Sequence, residues 1–331
     1  MTIYDIACKA GVSTATVSRV LNHSGRVSEA SRRKVEEVIK KEGFIPNAFA
    51  HSLTTKRSHT IGIICPVISD PNHAYPVAEL TRLLRENGFE VLLISLAGNK
   101  DPKKPGFVSL INHQADAAVL IGCSDSEEEA NGLREAAARL PVFLVNGRLD
   151  GENLYSILCD EETGACAMVG RLAGMGRRRI LYLYDSDTYS GHAKLRGYKE
   201  GMRRYASSEP LAVQIHNEEE PSLDKARETV GQLLQDGCLF DAVLSADDSM
   251  AVGAAKALRD AGREPVPMIG FNNTVLGRCA TPELSSFDIN MNQLCRLTVK
   301  MILDVLAGEP TPSCLRLEGS LVERASLLDF C

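Results

Sequence analysis

One stretch decides the fold: Val12-Ser13-Thr14-Ala15-Thr16-Val17-Ser18-Arg19-Val20-Leu21-Asn22. Val17, Val20 and Leu21 recur at the i, i+3 and i+4 spacing that predicts the buried face of a short helix, and Ser13 can cap its first turn. The opposite face carries Thr14, Ala15, Ser18 and Arg19. These side chains are small or hydrogen-bonding, and the arginine can contact a guanine edge through two donors.

A second short helix is predicted just upstream, in Thr2-Ile3-Tyr4-Asp5-Ile6-Ala7. Thr2 and Asp5 have the spacing of a capping box, although Asp stands where Glu or Gln is usual. Gly11 then permits the left-handed residue of a tight turn. Helix, glycine turn and polar second helix together indicate a helix-turn-helix that binds DNA. The alternative is a helical hairpin that serves only as core and leaves its polar face in solvent.

A third helix is predicted to begin at Ser28 and to stop at Gly43, which completes a small three-helix head. Residues 1–60 contain 10 Lys and Arg against 5 Asp and Glu, whereas residues 61–331 contain 27 against 38. A basic head on an acidic body places the phosphate-binding surface at the N-terminal end.

The next segment predicts a short linker helix, because Pro46 breaks the chain and Asn47 can cap one or two turns. A helix this short is not stable alone in water, so we expect it to order on DNA. Leu53, at the end of that segment, has two interpretations. It either packs on the body or enters the minor groove as a wedge that unstacks a base step.

Several short motifs closely resemble the LacI/GalR family of bacterial transcription regulators, especially its catabolite-control and sugar-responsive members. They are Thr2-Ile3-Tyr4-Asp5-Ile6-Ala7, Ala10-Gly11-Val12-Ser13, Thr16-Val17-Ser18-Arg19-Val20-Leu21-Asn22, Val27-Ser28 and Pro46-Asn47-Ala48-x-Ala50-x-x-Leu53. The similarity continues over nearly the whole chain. It implies a homodimer on a pseudo-palindromic double-stranded DNA operator, with a small molecule bound in the body.

Carried over by position, the resemblance implies base contacts from Thr14, Ala15 and Arg19 and a wedge at Leu53. The full expected DNA-binding set is Thr2, Ser13, Thr14, Ala15, Thr16, Ser18, Arg19, Asn22, Ser28, Asn47, Ala50, His51 and Leu53. His51 departs from the Arg or Gln that relatives have there, so contacts of the linker helix are expected to differ.

Composition bounds the class of protein. The 331 residues are 44% hydrophobic and 24% charged, which is typical of a soluble globular chain, and no run of about 18 apolar residues is present. The start of the chain does not have the pattern of a signal sequence. Ten scattered cysteines without a Cys-x-x-Cys pair indicate reduced, buried thiols. We therefore expect a cytoplasmic protein, associated with the nucleoid when bound to DNA, without membrane, metal or cofactor.

The body alternates short apolar strands with amphipathic helices, a pattern that predicts parallel sheets covered on both faces. The predicted strands are 60–65, 90–95, 117–121, 142–145, 179–184, 211–215, 242–245 and 268–271. Asp116-Ala117-Ala118-Val119-Leu120 is echoed at Asp241-Ala242-Val243-Leu244, which favours two similar lobes. The expected fold is therefore an all-α head and hinge helix, followed by two doubly wound α/β lobes like those of periplasmic binding proteins.

The domain boundaries follow from this organisation. We expect a helix-turn-helix domain at 1–45 and a hinge helix and linker at 46–58. The N-terminal lobe is expected at 59–159 plus about 289–312, and the C-terminal lobe at 160–288 plus about 313–331. Residues 289–306 predict a helix, and its apolar face and that of 77–84 either form a dimer surface or pack within the lobe.

Ligands of such lobes bind beyond the carboxyl ends of the parallel strands. The loops there supply the expected effector-binding residues Asp70, Asn72, His73, Ser190, Lys194, Glu218, Asp247 and Asn272. Many short polar groups on one cleft suit a hydroxyl-rich ligand such as a sugar, although some can simply cap helices, as Asp248 can. Compared with the family, Asn72 and His73 replace aromatic residues, Lys194 replaces Arg and Asn272 replaces an acid.

The expected function is a DNA-binding transcription regulator and repressor that senses a small polar metabolite, most plausibly a sugar. The alternatives are a regulator that senses a phosphocarrier protein, as catabolite-control members do, and a DNA-binding module with a silent pocket. An enzyme is not expected, because no phosphate loop, Gly-x-Ser-x-Gly elbow or His-Glu-x-x-His motif is present in the sequence.

Overall fold

The structure is a computed structural model that describes residues 2–21, 25–43, 58–96, 103–123, 126–215 and 222–330. The chain divides into two compact units, Met1–Ser58 and His59–Cys331. Among the described residues no helix is both long and apolar enough to cross a membrane. Residues 46–57 of the expected hinge helix lie outside the described residues.

The described residues of the first unit form three helices, α1 (Ile3–Ala10), α2 (Thr14–Leu21) and α3 (Glu29–Glu42). The predicted capping box is present, since Asp5 N donates to Thr2 Oγ1 at 3.3 Å and Thr2 N donates to Asp5 Oδ2 at 2.7 Å. Gly11 has a φ of 64°, which permits the tight turn into α2. The three helices share a core in which Ile6, Val17 and Val35 are fully buried. The predicted three-helix head is confirmed.

The second unit contains two six-stranded sheets, one in each lobe. In spatial order the first sheet comprises β11 (Cys314–Leu317), β5 (Leu154–Cys159), β4 (Val142–Val145), β3 (Ala117–Ile121), β1 (Thr60–Cys65) and β2 (Glu90–Ser95). The second comprises β12 (Ser320–Val322), β10 (Ser285–Asp288), β9 (Met268–Phe271), β8 (Ala242–Ser245), β6 (Ile180–Tyr184) and β7 (Leu211–Gln214). All pairings are parallel except that of β12 with β10, so the predicted α/β architecture is confirmed.

Helices cover the sheets on both sides. They are α4 (Pro71–Glu86), α5 (Lys103–Asn112), α6 (Glu127–Ala137), α7 (Glu161–Gly174), α8 (Tyr189–Gly201, continued by a π turn at Met202–Ala206), α9 (Ser222–Gln235), α10 (Asp248–Asp260), α11 (Val275–Cys279), α12 (Met291–Ala307) and α13 (Ala325–Leu328). In strand β3, the neighbouring residues Val119 and Leu120 point to opposite faces of the sheet. Both are fully buried, and each belongs to a different core cluster. Strands covered on both faces therefore appear as continuous apolar runs.

The chain passes between the lobes near Asp160, near Ile289 and again after Leu317. The expected final boundary at 312/313 is wrong by one strand. Cys314–Leu317 pairs in parallel with Leu154–Cys159 and so completes the first sheet before the chain returns. Three described segments thus connect the two lobes, and several connections of this kind suit hinge motion.

Candidate functional site: a recognition helix and an interlobe cleft

Helix α2 of the head exposes the predicted polar face. Ser13 caps the helix, because Thr16 N donates to Ser13 Oγ at 3.1 Å. Ala15 and Arg19 are exposed, whereas Val17 and Val20 are buried against the other two helices. Thr14, Thr16 and Ser18 are partly exposed. The helix therefore presents short side chains and the exposed cation of Arg19 to solvent, which suits insertion into a major groove.

Two other expected DNA-contacting residues cap helices. Thr2 caps α1, and Ser28 caps α3 by accepting a hydrogen bond from Ser31 N at 3.2 Å. Both are exposed, and a helix N-terminus offers free backbone N–H groups to a phosphate. Outside the described residues lie the expected sites Asn22, Asn47, Ala50, His51 and Leu53 of the DNA-binding set and Glu218 of the effector set.

A cavity of about 920 Å³ lies between the two lobes of the second unit. Its lining includes the other expected effector-binding residues Asp70, Asn72, His73, Ser190, Lys194, Asp247 and Asn272. The reason is topological, because each of these residues lies in the loop that follows the carboxyl end of a parallel strand or in the first turns of the helix after that loop. The structure therefore brings all the described members of the predicted set to one place.

Asp247 forms the floor of this cleft on the second lobe. It caps α10, and its Oδ1 accepts from Met250 N at 2.8 Å and from Ser249 Oγ at 2.9 Å. Burial raises the pKa of Asp247 to about 7, and the neighbouring carboxylate of Asp185 acts in the same direction. Near neutral pH this carboxyl group can therefore both accept and donate a hydrogen bond.

Asp185 was missed by the sequence analysis. It follows strand β6 directly, lines the cleft and accepts from Ser222 Oγ at 3.0 Å. Burial raises the pKa of Asp185. The available signal was its position at a strand end, one residue after the aromatic Tyr184, but we had placed the binding residues of that loop later, from Ser190 onward.

The ammonium group of Lys194 is engaged by other groups of the protein and is therefore less available to a ligand. It is buried, and its Nζ donates to Ala246 O at 2.8 Å and lies 3.4 Å from Glu161 Oε1. The ammonium also lies 5.2 Å from the centre of the Phe271 ring. These contacts tie α8 to the ends of β8 and β9, so the lysine supports the cleft floor.

Asp248 has a purely structural set of contacts. It accepts hydrogen bonds from Thr274 N at 2.6 Å, Thr274 Oγ1 at 2.8 Å and Ser286 Oγ at 2.6 Å. These bonds fix the loop after β9, in which Asn272 and Asn273 have positive φ values of 84° and 50°. The amide of Asn272 is thereby presented to the cleft.

Comparison with known proteins agrees with this architecture. Residues 2–47 match the model of bacterial regulatory proteins of the lacI family, and residues 169–327 match a periplasmic binding protein-like domain. A HTH-type transcriptional regulator of Lachnoclostridium phytofermentans is 36% identical over 98% of this chain and 98% of its own length. The regulator AscG of Escherichia coli is 28% identical over 99% of this chain and 98% of its own.

Solved structures show the same similarity. The lac repressor dimer bound to operator and the anti-inducer ONPF has a TM-score of 0.88 at 25% identity, with 99% of each chain covered. The transcriptional regulator CelR in complex with cellobiose has a TM-score of 0.71 at 26% identity, with 98% of this chain and 99% of that chain covered. The chain therefore belongs to the lacI family of bacterial regulatory proteins, and it is a DNA-binding transcriptional regulator with a periplasmic-binding-protein-like body, not an enzyme.

Proposed function

We propose that the protein is a homodimeric repressor whose affinity for a pseudo-palindromic operator is set by a small neutral, hydroxyl-rich metabolite bound between the lobes. One observation carries the proposal. Polar side chains from both lobes line a single 920 Å³ cavity at the carboxyl ends of the strands. A ligand that contacts both lobes can change the angle between them, and such a change is the means by which the cleft would control DNA binding.

The charges of the cleft favour a neutral ligand over an anionic one. Asp70, Asp185 and Asp247 all line it, while the ammonium of Lys194 is engaged by Ala246 O and lies beside Glu161. Arg278 and Arg324 also line the cavity, but Arg278 is exposed and Arg324 donates to Leu284 O and Asn273 Oδ1. A phosphorylated or carboxylated metabolite that reaches Asp247 would therefore meet carboxyl groups rather than these cations. A sugar meets the carboxyl groups with hydroxyl donors. The cellobiose complex of CelR supports this choice of ligand class.

In the head, we assign base contacts to Thr14, Ala15 and Arg19, and phosphate contacts to Thr2, Ser13, Thr16, Ser18 and Ser28. The assignment is supported by the exposed face of α2 and by the capped helix ends that lie beside it. The operator-bound lac repressor dimer supports a dimer on DNA. Asn22, Asn47, Ala50, His51 and Leu53 remain part of the proposed interface on the resemblance alone.

The test is a thermal-shift screen of the full-length protein against cellobiose and other neutral sugars, sugar phosphates, nucleosides and amino acids. A ligand at one hundred times its dissociation constant stabilises the folded state by about 2.7 kcal/mol. We expect a hit among the neutral sugars. A hit confined to sugar phosphates would contradict the charge argument, and a blank across all classes would favour a silent pocket or a protein effector.

A further inference from the structure

Among the described residues, two side chains of the first lobe form hydrogen bonds to the second lobe across the cleft: Asn146, whose Nδ2 donates to Ser190 Oγ at 3.4 Å, and Asn72, which makes two such bonds. Asn72 lies in the first turn of α4, on the first lobe, and its amide contacts two residues of the second lobe. Asn72 Nδ2 donates to Asp247 Oδ2 at 3.3 Å, and Asn272 Nδ2 donates to Asn72 Oδ1 at 2.8 Å. The Nδ2 donor and the Oδ1 acceptor of the Asn72 amide therefore each bond a residue of the second lobe, and these two residues follow different strands.

The two contacted groups point into the cleft. On Asp247, Oδ1 is already occupied by the first turn of α10, so Oδ2 is the oxygen that faces the other lobe. Asn272 adopts a positive φ that the loop below it fixes. Both groups belong to the set from which a bound metabolite would draw its hydrogen bonds.

We propose that Asn72 is an internal competitor and specificity-determining residue of the cleft: its amide bridges Asp247 and Asn272, and a ligand binds by displacing it. The competition rests on the proposed function, whereas the bridge itself does not. These two hydrogen bonds, the Asn72 bridge, hold the lobes together and set a threshold that an effector must exceed.

The geometry of the Asn72 bridge also defines the ligand. The displacing molecule must donate to Asp247 and accept from Asn272 at neighbouring positions. Two adjacent hydroxyl groups fulfil both requirements. A carboxylate group offers only acceptors, so it can bind Asn272, but at Asp247 it can bind only the protonated carboxyl group and it meets Asp185 and Asp70 nearby. The structure thus favours a vicinal diol, as in a sugar ring.

A backbone hydrogen bond between the two lobes can report on their separation independently of Asn72. Tyr189 N, at the start of α8 in the second lobe, donates to Cys123 O in the first lobe at 2.9 Å. Because Tyr189 occupies the first position of α8, its N–H has no partner within the helix. Hydrogen exchange at this amide therefore reports on opening of the cleft without any ligand.

The experiment measures hydrogen exchange of the full-length protein at Tyr189 in wild type, Asn72→Ala, Asn72→Asp and the control Asn131→Ala at one pH near 7.5. Asn131 is exposed on α6 of the same lobe. Loss of two hydrogen bonds predicts about tenfold faster exchange in Asn72→Ala. Asn72→Asp should exchange faster still, since a carboxylate then faces Asp247, and the control should equal wild type. Alanine is favourable in a first helical turn, and a circular-dichroism melt checks that each variant is folded.

Exchange at Tyr189 that is unchanged in both Asn72 variants would overturn the Asn72 bridge. Equal acceleration in Asn131→Ala would overturn it as well, because the effect would not be specific. The proposed function fails separately. If the Asn72 variants open the lobes but no cleft ligand alters operator affinity, the bridge stands and metabolite control is wrong. If cellobiose or another neutral sugar alters operator affinity while exchange stays the same, the reverse holds.

Discussion

At the scale of single residues, the ionisation of Asp247 controls the character of the cleft. Its carboxyl group is buried, caps α10 and faces Asp185, and both burial and the neighbouring charge disfavour its anionic form. The other groups around it are Asp70, at the start of α4, and Lys194, whose ammonium binds the adjacent Ala246 carbonyl. The cleft can therefore hold a proton at a pH where an ordinary aspartate has none.

The raised pKa of Asp247 predicts the direction in which stability changes with pH. Its pKa is raised from 3.8 to about 7 in the folded protein, so the folded state retains a proton that the unfolded state has lost. The contribution of Asp247 to stability is fully present below pH 4 and is lost as pH rises toward 7. Asp247→Asn keeps a good helix cap without a titrating group. We expect its melting temperature relative to wild type to rise between pH 5 and pH 8.

The melting temperatures of both proteins at the two pH values decide this prediction. Taking the difference between variant and wild type cancels the titrating groups that do not interact with Asp247. Asp185 does interact with it, and removing the repulsion between the two carboxylates favours the variant at high pH, which is the same direction. A difference that is constant with pH, or that falls between pH 5 and pH 8, would show that Asp247 is ionised with an ordinary pKa.

Arg19 makes the corresponding prediction for the head. Arg19→Ala should weaken operator binding by about 1–3 kcal/mol and relax base preference at one position of each half-site. Lys40, an exposed cation in the last turn of α3, gives the matched control. Its replacement by alanine should leave base preference unchanged. Binding to a panel of single-base operator variants distinguishes the two, and identical base profiles for both variants would remove Arg19 from direct readout.

Site residues that simply follow a strand could be predicted from the sequence, whereas those defined by contacts with distant residues could not. Asp247 and Asn272 follow buried strands, so their place in the cleft was visible in the sequence. The cross-lobe contact of Asn72 was not visible, because it joins positions 175 and 200 residues apart. Nor was the burial of Lys194, which depends on Glu161 and Ala246 meeting it in three dimensions.

At the scale of elements, apolar runs predicted the strands that helices cover on both faces. The strands that the sequence analysis did not include are β5, β10, β11 and β12. Strand β5 (Leu154–Cys159) is mostly apolar and was overlooked, whereas β10 could not be recognised because its Ser285 and Ser286 are fully buried but polar. Their hydroxyls are satisfied by Arg324 O and by Asp248, which come from distant parts of the chain. Short polar strands of this kind have no pattern of their own to detect.

Helix contacts offer a test at the same scale. Gly253 lies in α10 where it packs on α9, and a β-carbon there would collide with the Leu223 carbonyl oxygen. A β-carbon added at Gly231, in α9, would instead lie in open space among the described residues. Gly253→Ala should therefore destabilise the fold by about 1–3 kcal/mol. Gly231→Ala should stabilise it by about 0.5–1 kcal/mol, because alanine is the better helix former. Chemical denaturation of both variants measures this, and equal effects would contradict the close packing.

At the scale of the whole molecule, charge separates the two tasks of the chain. The basic N-terminal residues suit a DNA backbone, while the acidic body carries the cleft. The division into head and body was predicted from the sequence, because charge and motifs change near residue 58. The return of the chain to the first sheet through β11 was not, since a four-residue strand near the end gives no sign of its partner.

The central claim is that occupancy of the cleft controls the head, and operator affinity with and without a cleft ligand tests it most directly. The ligand is the neutral sugar that raises the melting temperature, and the measurement is fluorescence anisotropy of labelled operator. We expect at least a fivefold change in affinity, which corresponds to a coupling of about 1 kcal/mol. Asn272→Gly, which keeps the positive φ but loses the amide, should abolish this change. A ligand that stabilises the protein but leaves operator affinity unchanged would contradict the account.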